Sequence, residues 1–309
     1  MNNVFYSVLP ILLIAVLGSV IRRKWLTSDE FWRGLEKLSY YLLFPTVLFD
    51  HCASIDLKSS EFLRLISSLV IANLLVIAIL VFYQIRTDFD KVKFTSVFQG
   101  ATRYNNYIFF AIGSALFGST GVTIIAAISP YMLILTNLSA ITAFYYYLPK
   151  EGNLTGRKSF IIVGQSIIAN PFIISSLLGF LVNYSEINLN LGIKNTIQII
   201  SDSAFAIGML IVGAGMKFKI DPTHYKMITV TSVIKLVLTP VITYIALWIL
   251  SVNGTAKSVG ILFSCLPCAS SSYILSRQLG GDHETMSSII TSTTLLSVLS
   301  LSLLVYVLG

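Results

Sequence analysis

Apolar residues in this chain come in long blocks, where a soluble amphipathic helix would show a stripe along one face. Ten blocks are near the length needed to cross about 30 Å of hydrocarbon, roughly 20 helical residues each. They lie at about 4–21, 34–54, 62–83, 94–117, 121–147, 159–183, 191–216, 227–251, 258–278 and 286–308. A helix that is apolar on every side needs lipid as its solvent, and a helix satisfies its own backbone hydrogen bonds there. The pattern therefore predicts an all-α integral membrane fold with ten transmembrane helices. The loops between blocks are short, so a soluble catalytic domain is excluded and the lipid bilayer is an expected partner.

Composition sharpens this. Of 309 residues, 55% are hydrophobic and 11% charged, against about 25% charged in a soluble domain. Mean hydropathy is +0.81. The net charge of +7 sits in short loops between apolar blocks. That distribution points to membrane topology and not to nucleic acid. The first block is not read as a signal peptide: Met1-Asn2-Asn3 carries no basic residue, and Arg22-Arg23-Lys24 follows it. A retained first helix with its N-terminus outside, followed by nine more, puts both termini outside a multi-pass cell (plasma or inner) membrane protein.

The positive-inside rule tests that orientation. Loops assigned inside hold Arg22, Arg23, Lys24, Arg33, Lys37, Arg86, Lys91, Lys93, Lys150, Arg157, Lys158, Lys217, Lys219, Lys226 and Arg277, fifteen in all. Loops assigned outside hold four: Lys58, Arg64, Lys194 and Lys257. The other two of the 21 basic residues, Arg103 and Lys235, fall within spans. The sequon Asn153-Leu154-Thr155 lies on an inside loop and is set aside.

Internal repetition gives the architecture. Pro10-x7-Gly18 in span 1 matches Pro171-x7-Gly179 in span 6 at an offset of 161, and Leu38-Ser39 matches Ile200-Ser201 at 162. Five spans followed by five must be oppositely oriented, because five is odd. The expectation is two inverted five-helix repeats, residues 1–148 and 159–309, joined by a cytoplasmic linker at 149–158. In such folds the binding site lies near mid-membrane, at helices broken in corresponding places. Span 9 contains Leu266-Pro267-Cys268-Ala269-Ser270-Ser271-Ser272, where the proline removes a donor and clashes with the preceding turn. Subtracting about 162 leads to Thr102-Arg103-Tyr104-Asn105-Asn106-Tyr107, the most polar stretch inside any span. Broken, crossing helices 4 and 9 are the expectation.

The chemistry of those residues suggests an anion site. Arg103 at mid-span costs about 2.5–3.5 kcal/mol on insertion scales, and it is read as a bidentate clamp for a carboxylate. The alternatives are an ion pair with Asp202 or a backbone anchor. Asn105 and Asn106 offer donors and acceptors to a ligand or to unwound backbone. Pro267 is the breaker of span 9, and Ser270 and Ser271 either face substrate or bond back to their own helix. Lys235, about ten residues into span 8, is read as an anion ligand, a coupling charge, or a partner of Asp202. Asp202, mid-span 7, is either a protonation site or half of a fixed ion pair. Asp50 and His51 lie at the outer end of span 2 and read as a solvated helix end, with a proton entry point as the alternative. Cys265-Leu266-Pro267-Cys268 reads as small residues packed about the break. No Walker loop, dinucleotide fingerprint or zinc motif occurs, so no cofactor or metal is expected and ATP-driven transport is not.

These residues resemble the auxin efflux carrier family, which includes bacterial permeases, along essentially the whole chain. The segment Leu38 to Phe49 with Pro45, the start Asn170-Pro171 with Gly179, and Lys235 followed by Pro240 all fit. Leu266-Pro267-x-Ala269, running on to Tyr273, Leu275 and Gly281-Asp282, is the most specific match. Arg103-x-Asn105 fits the start of span 4, but Phe110 and Ile112 stand where the family commonly has glycine and proline. The break in span 4 must then rest on polar side chains. The resemblance implies a scaffold of spans 1, 2, 6 and 7, a moving domain of spans 3–5 and 8–10, and a homodimer. Together these readings predict a secondary transporter, and no enzyme, carrying a small organic anion by an elevator-like motion. The rivals are a sodium-coupled carrier of the bile-acid symporter type and a non-transporting receptor.

Overall fold

Capping side chains start several of the helices in the computed structural model, which describes residues 2–54, 60–148, 169–216 and 220–308. Thirteen α-helices are named here: α1 (Asn2–Lys24), α2 (Asp29–Leu38), α3 (Phe44–Ala53), α4 (Ser60–Thr87), α5 (Lys91–Thr102), α6 (Asn106–Tyr147) and α7 (Pro171–Tyr184), then α8 (Leu191–Ala214), α9 (Tyr225–Val233), α10 (Thr239–Ile249), α11 (Gly254–Cys265), α12 (Ser272–Leu279) and α13 (His283–Leu308). Among the described residues there is no strand. Asp90 caps α5 by accepting from the Lys93 N–H at 2.8 Å, and Asn170 caps α7 by accepting from Phe172 at 2.9 Å. Such a cap satisfies one of the orphan N–H groups of the first turn. In the loop ahead of α9, the backbone and hydroxyl of Thr223 hold the Asp221 carboxyl below the usual range.

Two prolines reshape their helices. Pro45 and Pro240 cannot donate to the preceding turn, and each follows a five-residue π turn, Ser39–Leu43 and Ile234–Leu238. The wider turn passes the carbonyl of Ser39 to the Phe44 N–H and that of Ile234 to the Thr239 N–H. A missing donor is absorbed in this way without ending the helix. Neither π turn is foreseen by hydrophobic periodicity, which reads both stretches as plain helix.

Helix occupies most of the described part of every predicted span, with interruptions at 103–105 in the fourth and 266–271 in the ninth. Glu61–Thr87, Lys91–Tyr147, Leu191–Ala214 and Pro222–Ile249 are long and apolar enough to cross a membrane by length and composition. Over the described residues the chain is helical without strands, and these long apolar helices make it a multi-pass membrane protein. Residues 159–168 of the sixth predicted span and the predicted linker at 149–158 lie outside the described residues.

The chain divides into two units. The first comprises Met1–Phe62, Tyr107–Tyr131 and Ser166–Met216. In it α1 packs on α8 and α3 packs on α7 and α8, with glycines at the closest approaches. A Cβ on Gly213 would run into the backbone of Ala15, and one on Gly18 into the backbone of Leu210. Small residues let membrane helices approach closely where no hydrophobic force between helices operates. Phe44, fully buried, centres this unit, with the rings of Tyr107 at 4.7 Å and Phe110 at 5.7 Å.

The second unit comprises Leu63–Asn106, Met132–Gln165 and Lys217–Gly309. Its core joins Val76 and Leu80 of α4, Phe94, Val97 and Phe98 of α5, and Met286 and Ile289 of α13. This partition follows the spans implied by the family resemblance, except that Tyr107–Tyr131 clusters with the first unit. The site described next lies entirely within the second.

Candidate functional site

Two helices of the second unit are interrupted at the places the sequence marks. α5 ends at Thr102, and helix resumes at Asn106. α11 ends at Cys265, and helix resumes at Ser272. The capping residues Arg103 (φ −83°, ψ 157°) and Leu266 (φ −68°, ψ 146°) share one extended conformation. The second break has Pro267 to explain it; the first has no proline and rests on polar contacts. The Asn105 N–H donates to the Pro267 carbonyl at 3.0 Å. Asn105 Nδ2 donates to Ser270 Oγ at 3.2 Å. The Tyr104 ring meets Phe263 edge to face at 4.5 Å.

Four helix ends therefore meet the two breaks: the C-termini of α5 and α11, and the N-termini at Asn106 and Ser272. C-terminal ends carry partial negative charge and N-terminal ends partial positive charge. At the end of α5, Asn73 Nδ2 donates to the Thr102 carbonyl at 3.3 Å.

Arg103 occupies the first break with 7% of its surface exposed. Nη1 donates to Gln99 Oε1 and Ser272 Oγ, both at 3.1 Å. Nη2 donates to Asn137 Oδ1 at 3.1 Å and Ser271 Oγ at 3.0 Å. All four of these oxygens are neutral. These four contacts hold a buried guanidinium by hydrogen bonds and bring no charge of their own.

The predicted site residues distribute as follows. Arg103, Asn105, Pro267, Ser270 and Ser271 are brought together across the two breaks. Asn106 begins the helix beyond the first break, and among the described residues its buried Oδ1 accepts no hydrogen bond. Lys235 lies in the same unit, in the second residue of its π turn, with 1% of its surface exposed. Its Nζ stands 6.0 Å from the centre of the Phe263 ring. Among the described residues no hydrogen bond or ion pair engages it. Asp202 belongs to the first unit, where it is exposed on α8 and accepts from Gln198 Nε2 at 2.9 Å. A mid-span position suggested burial for Asp202, but its face of α8 is left open. Asp50 and His51 are also in the first unit, and His51 Nδ1 lies 2.9 Å from Thr123 Oγ1.

Sequence reasoning missed Gln99, Asn137 and Ser272 as partners of Arg103. Gln99 carried a signal, since it precedes Arg103 by four residues on one helix face. Asn137 lies 34 residues away, and no local spacing links it to Arg103.

Comparison with known proteins fits this geometry. Residues 155–305 match the model of the family described as membrane transport protein. That match bears out the family resemblance and includes the second break. The chain is also 24% identical to an uncharacterized transporter from Methanothermobacter thermautotrophicus over 301 residues, 96% of each chain. Family and relative together support a membrane transporter acting on a small molecule, and not an enzyme.

Proposed function

We propose that this transporter is a secondary carrier of a small organic anion, a carboxylate, held at the two helix breaks of the second unit. One observation carries the reading: a buried Arg103 whose four terminal N–H groups are held by neutral oxygens. An entering carboxylate takes over the two N–H groups now held by Ser271 and Ser272. Those hydroxyls then turn and donate to it, together with Ser270 and the Asn105 amide. Asn106 Oδ1 is the acceptor left for an N–H or O–H group of the substrate, and Pro267 keeps the second break open.

Ten spans in two inverted repeats remain the architecture we propose, and offsets in the structure support it. Gly118 (φ 59°) and Gly280 (φ 78°) are 162 apart and both interrupt helix with a positive φ. Arg103 and Leu266, the two extended caps, are 163 apart. Buried Asn73 and Lys235 are 162 apart. In this reading the second unit carries substrate by an elevator-like motion, in a homodimer at the cell membrane. The membrane potential supplies about 2.3 kcal/mol per charge per 100 mV. Lys235 and Asp202 are the candidate coupling charges.

The test is uptake of ¹⁴C-labelled acetate, succinate and benzoate into proteoliposomes, with and without a pH gradient and with sodium replaced by choline. At least one acid should be moved, and Arg103→Ala should abolish its flux while the protein still purifies as folded. Full transport by that variant, or no flux of any acid in the wild type, would sink the anion clamp.

A further inference from the structure

Gln99 lies on α5 four residues before Arg103 and is fully buried. Its amide is used at both ends. Oε1 accepts from Arg103 Nη1 at 3.1 Å. Nε2 donates to Ser276 Oγ of α12 at 3.0 Å and lies 3.8 Å from Met286 Sδ of α13. Arginine has only donors, so the atom facing it must be the amide oxygen. Ser276 and Met286 fix that orientation from the other side. Gln99 thus ties the guanidinium to the short helix after the second break and to α13, through a group that carries no charge.

We infer that Gln99 is the positioning residue of the Arg103 clamp: it fixes the direction of the guanidinium without itself compensating the charge. This rests on the proposed carboxylate site. A carboxylate in the same place would hold Arg103 as well or better, but would compensate its charge. Geometry and charge can therefore be separated by one isosteric change.

The experiment measures KM and maximal rate of Gln99→Glu in proteoliposomes, using the acid of the panel that the wild type moves, and thermal stability of the same protein in detergent. The expected result is a KM raised tenfold or more, with stability equal to or above that of the wild type. Gln99→Met, which removes the bond without adding charge, should raise KM while retaining most of the maximal rate. It gives a second reading should Gln99→Glu not fold. Wild-type KM in either variant overturns the inference, since a purely structural Gln99 would leave affinity untouched wherever the protein folds. If Arg103→Ala abolishes flux while Gln99→Glu transports normally, the positioning role alone fails. If Arg103→Ala transports normally, the clamp itself fails.

Discussion

At the scale of single residues, the proposed site depends on what a guanidinium can do and an ammonium cannot. Arg103 bonds four oxygens from one planar group, two on each terminal nitrogen. A lysine offers three donors on a point charge and cannot grip both oxygens of a carboxylate side by side. Arg103→Lys should therefore fold, because charge is kept, yet lose at least tenfold in transport efficiency by raised KM. Wild-type kinetics in that variant would show that charge alone suffices. Arg103 was legible in the sequence because an intramembrane charge is costly and conspicuous. Its neutral partners were not, because Gln99 and Asn137 are ordinary amides in apolar helices, and a contact across 34 residues leaves no local periodicity.

Among elements, helix ends and interruptions matter more than helix interiors. Gly280 ends α12 in the left-handed region at φ 78°, and a Cβ there would meet nothing within 4 Å. The cost of Gly280→Ala is then conformational alone, about 1 kcal/mol, and Gly280→Asn should cost less. Gly213 is the opposite case: its helix is regular, but a Cβ would strike the Ala15 backbone, which no side-chain rotation relieves. Gly213→Ala should therefore cost more than Gly280→Ala, about 1–3 kcal/mol for forced overpacking. Denaturation of both variants in detergent compares them, and equal losses would contradict the distinction. The four long apolar helices were legible because a span must be long and apolar. The break at Pro267 was legible because proline has one backbone consequence. The π turns before Pro45 and Pro240 were not, since the sequence cannot say whether a proline ends, kinks or widens a helix.

For the whole molecule, the strongest sequence signal is the distribution of basic charge, and it predicts an orientation. Fifteen basic residues in loops on one side against four on the other favour an inside face that carries the loops after α1, α4 and α12. The recurring offset near 162 fits that arrangement, because two five-span halves of opposite orientation bring both termini to one side; the charge alone says that this side is the outside. Single cysteines decide it in a background lacking Cys52, Cys265 and Cys268. Ser185→Cys and Ser251→Cys, both at exposed positions, should react with a membrane-impermeant maleimide on intact cells. Thr27→Cys and Thr87→Cys, also exposed, should react only once the membrane is opened. If all four react alike, the topology is wrong, and with it the inverted repeat. If the two pairs react with sides exchanged, the repeat survives and only its orientation is reversed. That second outcome would leave the Arg103 clamp intact, since a site midway between two inverted halves stands at the same depth from either face.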